Sequence, residues 1–349
     1  MLRATPTRST TNAVSIHAVV QDAGMATDRR AIGLDIGGTK IAGAVVDGCG
    51  GVLAELVEPT PEESDAVAVT AVLLDLIGRL RSAHEVEAIG VGAAGIVEWP
   101  AGRMLWAPNN EYRDWPVREQ LEKETGLPVV VDNDANVAAL AEARLGHRPE
   151  GSTREGPYTN MVLITVGTGI GGGLVMDGRI YRGPTGLGAE LGHIVLNPDG
   201  PRCGCGNHGC FEAYASGTAL TRMAREAASD DPDGLIARLG AEQDEVDGHA
   251  VVAALRQGDA TAEAIFARLG RWLGVGIASL ANIFEVEAVV VGGGLVKTGE
   301  LLLSPARVAA REYAYAPTAR GVPPVVPATF GGDAGKIGAA LLALDHPGR

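Results

Sequence analysis

The chain has 349 residues, 46% of them apolar, with 49 glycines and a formal net charge of -14. That length fits two domains or one two-lobed unit with sizeable cores. The acidic balance argues against nucleic acid or an anionic membrane as partner, since both call for a basic field, but it leaves a small phosphate ligand open because backbone amides bind one locally.

Residues 1–29 are rich in Ser, Thr and Ala, lack the apolar core of a signal peptide and read as a disordered tail, with Met25 an alternative start. Ile32, Leu34 and Ile36 then alternate, Gly37-Gly38 interrupts, and 41–46 resumes, a hairpin signature within 31–58. Residues 64–82 carry helical spacing at Val67, Ala71, Leu74 and Ile77. A short strand follows at 87–93, then a helix at 116–125 with Asp114 as its cap and Pro116 in its first turn. A strand at 128–132 runs into Asp132-Asn133-Asp134-Ala135-Asn136 and an Ala-rich helix that stops at Gly146. Polar residues 147–158 read as a loop near a domain junction.

A second hairpin is predicted with strands at 161–166 and 174–176 around a turn at 167–173, so strand, glycine turn, strand occurs twice. Helices near 216–229 and 260–283, a buried strand at 288–291 and a final Ala/Leu helix after Lys336 complete an α/β class. No apolar run approaches the roughly 20 residues of a membrane span. Four cysteines with no paired framework fit a reducing cytoplasm.

Five motifs bear on chemistry. Asp35-Ile36-Gly37-Gly38-Thr39-Lys40 offers amides, a hydroxyl and a cation to an anion, with Asp35 suited to orienting hydrated Mg2+; the alternative is an ordinary turn with incidental charge. Gly167-Thr168-Gly169-Ile170-Gly171-Gly172 has the form G-x-G-x-x-G, but a dinucleotide fingerprint needs a helix next, and the following residues read as strand, which disfavours a dehydrogenase. Gly335-Lys336 lacks the earlier glycine and the hydroxyl residue of a Walker site. In the Asp132–Asn136 stretch, helix capping accounts for one polar residue, and a carboxylate there is placed to take a proton from an attacking hydroxyl.

His193, Cys203, Cys205 and Cys210 form the four-ligand N/S set of a closed structural zinc site, and only Cys49 lies elsewhere. Glu190 and Glu212 bracket that cluster, either as solvated acids or as acceptors for a polar ligand. Gly292-Gly293-Gly294 either backs a flat adenine or makes a strand-to-helix turn.

Taken in order from Ala31 to about Leu344, D-I-G-G-T-K, D-N-D-A-N, G-T-G-I-G-G-G and E-L-G-H…C-G-C-G-x-x-G-C-x-E resemble the ROK family of sugar kinases and sugar-sensing repressors, in the actin-like ATPase superfamily, and within it the bacterial glucokinases. The resemblance implies a two-lobed actin-like ATPase (ribonuclease H-like) fold with a cleft between lobes. Residues 30–133 with the C-terminal helix 334–349 would form the small lobe, and 134–333 the large lobe with its zinc loop. Asp35, Gly37, Gly38, Thr39 and Lys40 match the first phosphate hairpin, Gly167, Thr168 and Gly169 the second, and Gly292, Gly293 and Gly294 the adenosine contact. Asp134 matches the general base. Gly95, Asn109, Asn133, Asp134, Glu190, His193 and Glu212 match sugar-binding positions, and His193, Cys203, Cys205 and Cys210 the zinc ligands.

The implied reaction is phosphorylation of the glucose 6-hydroxyl by ATP with Mg2+, in a cytoplasmic homodimer or homotetramer with structural Zn2+. Ala94 and Ala189 stand beside sugar contacts where many relatives carry Pro and Gly, so N-acetylmannosamine or fructose remain alternative substrates, and polyphosphate an alternative donor. A sugar-responsive regulator is the other class; ROK repressors carry a helix-turn-helix domain first, and the 30 residues before Ala31 are too few for one.

Overall fold

The computed structural model of the chain describes residues 28–61, 65–107, 113–149 and 156–346. Asn109 and most of the expected N-terminal tail lie outside the described residues. The first half runs through strands β1 (Arg30–Ile36), β2 (Lys40–Asp47) and β3 (Val52–Pro59), helix α1 (Ala66–Ala83), β4 (Ala88–Ala93), the short β5 (Ile96–Glu98), β6 (Arg103–Trp106) and β7 (Arg113–Trp115), α2 (Val117–Thr125), β8 (Val129–Asn133) and α3 (Asp134–Leu145). The second half contains β9 (Met161–Val166), β10 (Ile170–Met176), β11 (Arg179–Ile180), α4 (Phe211–Ala215), α5 (Gly217–Asp230), α6 (Leu235–Glu242), α7 (Gly248–Arg256) and α8 (Ala260–Phe284). It closes with β12 (Ala288–Gly292), α9 (Glu300–Tyr313), α10 (Pro317–Arg320), β13 (Val325–Pro327) and α11 (Ala334–Asp345).

The two large sheets share one strand order, β3-β2-β1-β4-β8 and β11-β10-β9-β12-β13. In each, an antiparallel hairpin is extended by two parallel strands. The repeated strand, glycine turn, strand pattern is therefore the hairpin part of a five-stranded unit. Strands β4 and β12 are buried at every position, as parallel strands covered on both faces are. Edge strand β3 alternates between exposed and half-buried positions.

Helix α1 forms where its spacing predicts, capped by Asp65, which accepts the Ala68 N–H at 2.7 Å. Its buried face is different from the expected one: Val69, Leu73, Leu76, Ile77 and Leu80 are buried, while Val67 is 79% exposed. The predicted cap of α2 also fails. Asp114 sits in β7 with φ 56° and accepts from Arg103 Nε at 3.1 Å, and Pro116 is the capping residue itself. The second glycine turn is shorter than expected, because Ile170 already pairs with Val166 and β10 takes in residues 170–173. Helices α4, α6, α7, α9 and α10 and the small sheet β5-β6-β7 have no counterpart in the sequence reading.

Helices α3 and α11 lie side by side, α11 against β1 and β4 of the first sheet and α3 against β9 and β10 of the second. Both are buried nearly all round, so neither shows the one-sided stripe of a surface helix. Contact is made at backbone distance. A Cβ on Gly90 would lie 1.8 Å from Ala339 O, and one on Gly338 would lie 1.7 Å from Val137 O. Helix α8 is, among the described residues, the one long and apolar enough to cross a membrane by length and composition; Phe266, Leu269, Leu273 and Ile277 lie in the core of the second half.

This topology brings the polar motifs to the carboxyl ends of the central strands, where open α/β sheets bind ligands. Asp35 lies in β1 just before its glycine turn, Gly95 follows β4, Asn133 ends β8, Gly167 follows β9 and Gly292 ends β12. Gly338→Ala should lower unfolding stability by about 3 kcal/mol through overpacking. Gly78→Ala, at an exposed position of α1 with open space at its Cβ, should raise it by about 0.5–1 kcal/mol. Urea denaturation of the two variants checks both.

Candidate active site

The junction of β8 and α3 uses most of its polar residues on itself. Asn133 caps α3, its Oδ1 accepting from Ala135 N at 2.9 Å and Asn136 N at 3.2 Å, while its Nδ2 donates to Gly95 O at 3.1 Å. Buried Asp132 accepts through Oδ1 from Asn133 N at 2.8 Å and Asn136 Nδ2 at 3.0 Å. Gly95 has φ 132°, and a Cβ there would meet Trp106 O at 2.4 Å, so glycine is what lets this loop lie against Asn133. The Asp134 carboxyl accepts the Ala135 N–H at 2.8 Å. Burial pushes the Asp134 carboxyl above the usual carboxylate range, and the Ala135 N–H and the Asn133 side chain pull the other way.

Asp35 is Asp134's electrostatic neighbour. Burial raises the Asp35 carboxyl to about 7, the Asp134 charge adds to that, and Lys40 and Lys336 oppose it. The Asp35 carboxylate abuts the first turn of α11, where a Cβ on Gly335 would come within 2.6 Å of Oδ2. Lys336 is itself buried and donates to Glu55 and, at 2.6 Å, to Asp333. The first glycine turn is closed by Gly37 N donating to Lys40 O at 3.0 Å. Thr60 Oγ1 donates to Gly37 O at 2.8 Å and Thr60 N to Thr39 O at 3.1 Å.

The second turn is braced by the start of α5. Gly217 N donates to Gly167 O at 2.7 Å, Thr218 N and Oγ1 donate to Thr168 O at 3.0 and 2.9 Å, and Gly167 N donates to Gly169 O at 3.0 Å. From this turn a groove of about 800 Å³ opens, lined by Thr168, Thr218, Thr221, Gly294, Lys297 and Leu301. That volume suits a nucleoside-sized ligand. Of the glycine triplet, Gly294 reaches the groove, Gly292 is buried in its strand, and Gly293 turns at φ 88° against Val166.

His193, Cys203, Cys205 and Cys210 converge, with ligand atoms all within 4.8 Å of one another. Cys205 Sγ and Cys210 Sγ are 3.7 Å apart, and His193 Nδ1 is 3.8 Å from Cys203 Sγ. A tetrahedral zinc with bonds of ~2.3 Å sets its sulfur ligands about 3.8 Å apart, so this donor set fits that ion. Burial, helped by the neighbouring Cys205 and Cys210 thiols, pushes the Cys203 thiol up to about 12, and a bound cation is what draws such a proton off.

Glu212 joins this cluster to the second glycine turn: Oε1 takes Cys203 Sγ at 3.5 Å and Oε2 takes Ile170 N at 2.9 Å. Glu190 is an exposed residue whose carboxyl end is nevertheless desolvated. That desolvation pushes it up, His193 offsets part of the effect, and Asp134 and Glu212 add to it. Ala189 before it has φ 66°, a left-handed conformation that glycine adopts without strain. Gly95, Asn133, Gly188 and Glu190 line a narrow cavity between the two halves.

Asp35, Asp134, Glu190 and Glu212 thus form a run of carboxyls, each the electrostatic neighbour of the next. The glycine turns, Gly95, Asn133, His193 and the cysteines surround it. Sequence reasoning missed Thr60, Asp132, Thr218, Thr221 and Lys297. Single hydroxyls and charges outside a motif carry no spacing signal, and Asp132, though inside one, gave no sign that its role is to brace the turn.

The family model described as ROK family matches residues 31–346. A glucokinase of Streptomyces coelicolor is 42% identical over 317 residues, covering 90% of this chain and 97% of that relative. An N-acetylmannosamine kinase of Escherichia fergusonii is 33% identical over 316 residues, covering 89% and 97%. Among solved structures, a ROK family glucokinase from Streptomyces griseus in complex with glucose and AMPPNP aligns with a TM-score of 0.77 at 41% identity, covering 91% of this chain and all of that one.

A carboxyl whose folded pKa of about 7 exceeds its ordinary 3.8 favours the folded state at low pH and opposes it as pH rises through 7. Between pH 4 and pH 8 the unmodified protein, without ligand, should lose on the order of 4 kcal/mol of stability relative to Asp35→Asn. Urea denaturation at the two pH values measures the difference.

Proposed function

Because the chain belongs to the ROK family, we propose that it is a glucokinase, transferring the γ-phosphoryl group of ATP to the 6-hydroxyl of glucose. The observation that carries this reading is the desolvated Asp134 carboxyl, which accepts the Ala135 N–H, follows Asn133 of the narrow cavity and is the electrostatic neighbour of Asp35 and Glu190. Support also comes from the glucokinase relatives, one of them solved with glucose and AMPPNP.

Phosphoryl transfer needs positioning and charge stabilisation more than covalent help. Asp134 would accept the proton of the sugar hydroxyl as that oxygen attacks, and its raised pKa makes it a better acceptor than an exposed aspartate. Amides of the two glycine turns and Lys40 would face the phosphates. Mg2+ bound with ATP would supply neutralising charge there, and Asp35 would orient its waters. Gly95, Asn133, Glu190, His193 and Glu212 would read ring hydroxyls, and a site that bonds each hydroxyl rejects analogues lacking one.

Zinc at His193, Cys203, Cys205 and Cys210 would be structural, since four protein ligands leave no open position. It would hold the segment that carries Glu190 and Glu212. Nδ1 of His193 faces the cluster, which leaves Nε2 for a sugar hydroxyl.

Asp134→Asn should lower kcat by about 10²–10⁴-fold, the usual contribution of a general base, with glucose binding by calorimetry little changed. Retained turnover would refute the assignment. Metal analysis of purified protein should find one zinc per chain, and its removal should raise the glucose KM and lower the Tm together. A panel of glucose, N-acetylmannosamine and fructose against ATP and polyphosphate tests the function itself. Preference for another sugar or for polyphosphate would overturn the glucokinase reading.

A further inference from the structure

Arg182 belongs to none of the motifs, yet it holds the stem of the segment that ends in Glu190. Its Nε donates to Asp132 Oδ2 at 2.7 Å, its guanidinium lies 3.7 Å over the Trp99 ring, and its Nη1 donates to Ile180 O at 3.4 Å. Its side chain is 11% exposed and that of Asp132 4%. The pair joins the two halves of the molecule. Asp132 lies in β8 of the first sheet, and Arg182 follows β11 of the second.

The backbone around Arg182 folds onto the same spot. Arg182 O accepts from Gly188 N at 2.8 Å, and Thr185 O accepts from Trp99 N at 3.2 Å. At Gly186, with φ 95°, a Cβ would lie 2.6 Å from Val97 O. Residues 182–188 are therefore closed into a loop seated on Trp99, and Glu190 leaves it two residues later. The Asp132 carboxylate is shared between the two sides of the cavity: Oδ1 orients Asn133 and Asn136, and Oδ2 takes Arg182.

We propose that Arg182 is a positioning residue for the sugar: by bridging Asp132 and Trp99 it fixes the Glu190 loop against the Asn133-Asp134 turn, and so sets affinity for the hexose. This rests on the kinase reading above. Only a planar guanidinium both stacks on the indole and donates in its own plane to Asp132; a lysine ammonium is a point charge that does one or the other. The nucleotide groove is lined by α5, α7 and the Gly294–Thr298 turn, whereas Arg182 donates to Asp132 and Ile180, so the effect is confined to the sugar.

The test compares the unmodified protein with Arg182→Lys and with the double variant Asp132→Asn/Arg182→Met, in which neither buried charge is left without a partner. Each is assayed for KM of glucose and of ATP, kcat, Tm, and glucose Kd by calorimetry. Arg182→Lys should raise glucose KM and Kd about tenfold, as weakened ground-state binding does, while ATP KM stays within about twofold. The double variant should show the same split and keeps the test available if the single one fails to fold. A role in stability alone would lower Tm with the glucose KM unmoved, and that result in a folded variant overturns the inference, as does a parallel rise in both KM values. Unmodified protein that phosphorylates no hexose would overturn the kinase reading and this inference with it; active unmodified protein with an unaltered Arg182→Lys glucose KM overturns the inference alone.

Discussion

Helices α3 and α11 meet where Gly338 faces the Val137 carbonyl, and only a hydrogen atom fits in that gap. The same pair fixes the chemistry, because α3 begins at Asp134 and the first turn of α11 lies against the Asp35 carboxylate. A displacement of either helix by a methyl group's width would change the separation of these two acids. Interiors packed at crystal density transmit such displacements rather than absorb them. Core packing and site geometry are therefore one constraint in this molecule, and the glycines facing α11 belong to the site as much as to the fold.

The Asp134 charge pushes the Asp35 carboxyl up and, with that of Glu212, the Glu190 carboxyl as well. Desolvation is the larger cause at Asp35, Asp134 and Glu190 alike, and like charge adds to it at Asp35 and Glu190. A cleft of this kind is unfavourable when empty and all its carboxyls are ionised, and favourable once cations and hydroxyl donors fill it. Glu212 extends the same logic to the cysteine cluster, since one of its oxygens faces Cys203 and the other holds the Ile170 amide. The shape of the metal loop and the shape of the second glycine turn are coupled through a single carboxylate.

Periodicity and turn chemistry made much of the central frame legible. Both hairpins, the Asp132–Asn136 junction and the final apolar helix stand close to where the sequence puts them, because strand alternation and glycine punctuation are local properties. The buried face of α1 was misjudged because Val67 and Leu74 are as apolar as Val69 and Leu73, and only the position of the sheet decides which set is covered. Asp114 looked like a cap by residue type, but its partner Arg103 comes from a neighbouring strand that no local pattern announces. The cysteine cluster was legible because its spacing is itself the signal. Arg182 was not, since its partners Asp132 and Trp99 lie about 50 and 80 residues away in the chain.

The two glycine turns share one further property. In the first, the carbonyls of Gly37, Thr39 and Lys40 are all engaged, and in the second those of Gly167, Thr168 and Gly169 are. With these acceptors occupied, each loop has chiefly amide hydrogens and a threonine hydroxyl to show a ligand. Such a surface favours oxyanions over bare metal ions. The division of labour follows without any further design. Loops handle negative charge, carboxylates handle positive charge, and a nucleotide arriving with its counter-ion meets each on the side built for it.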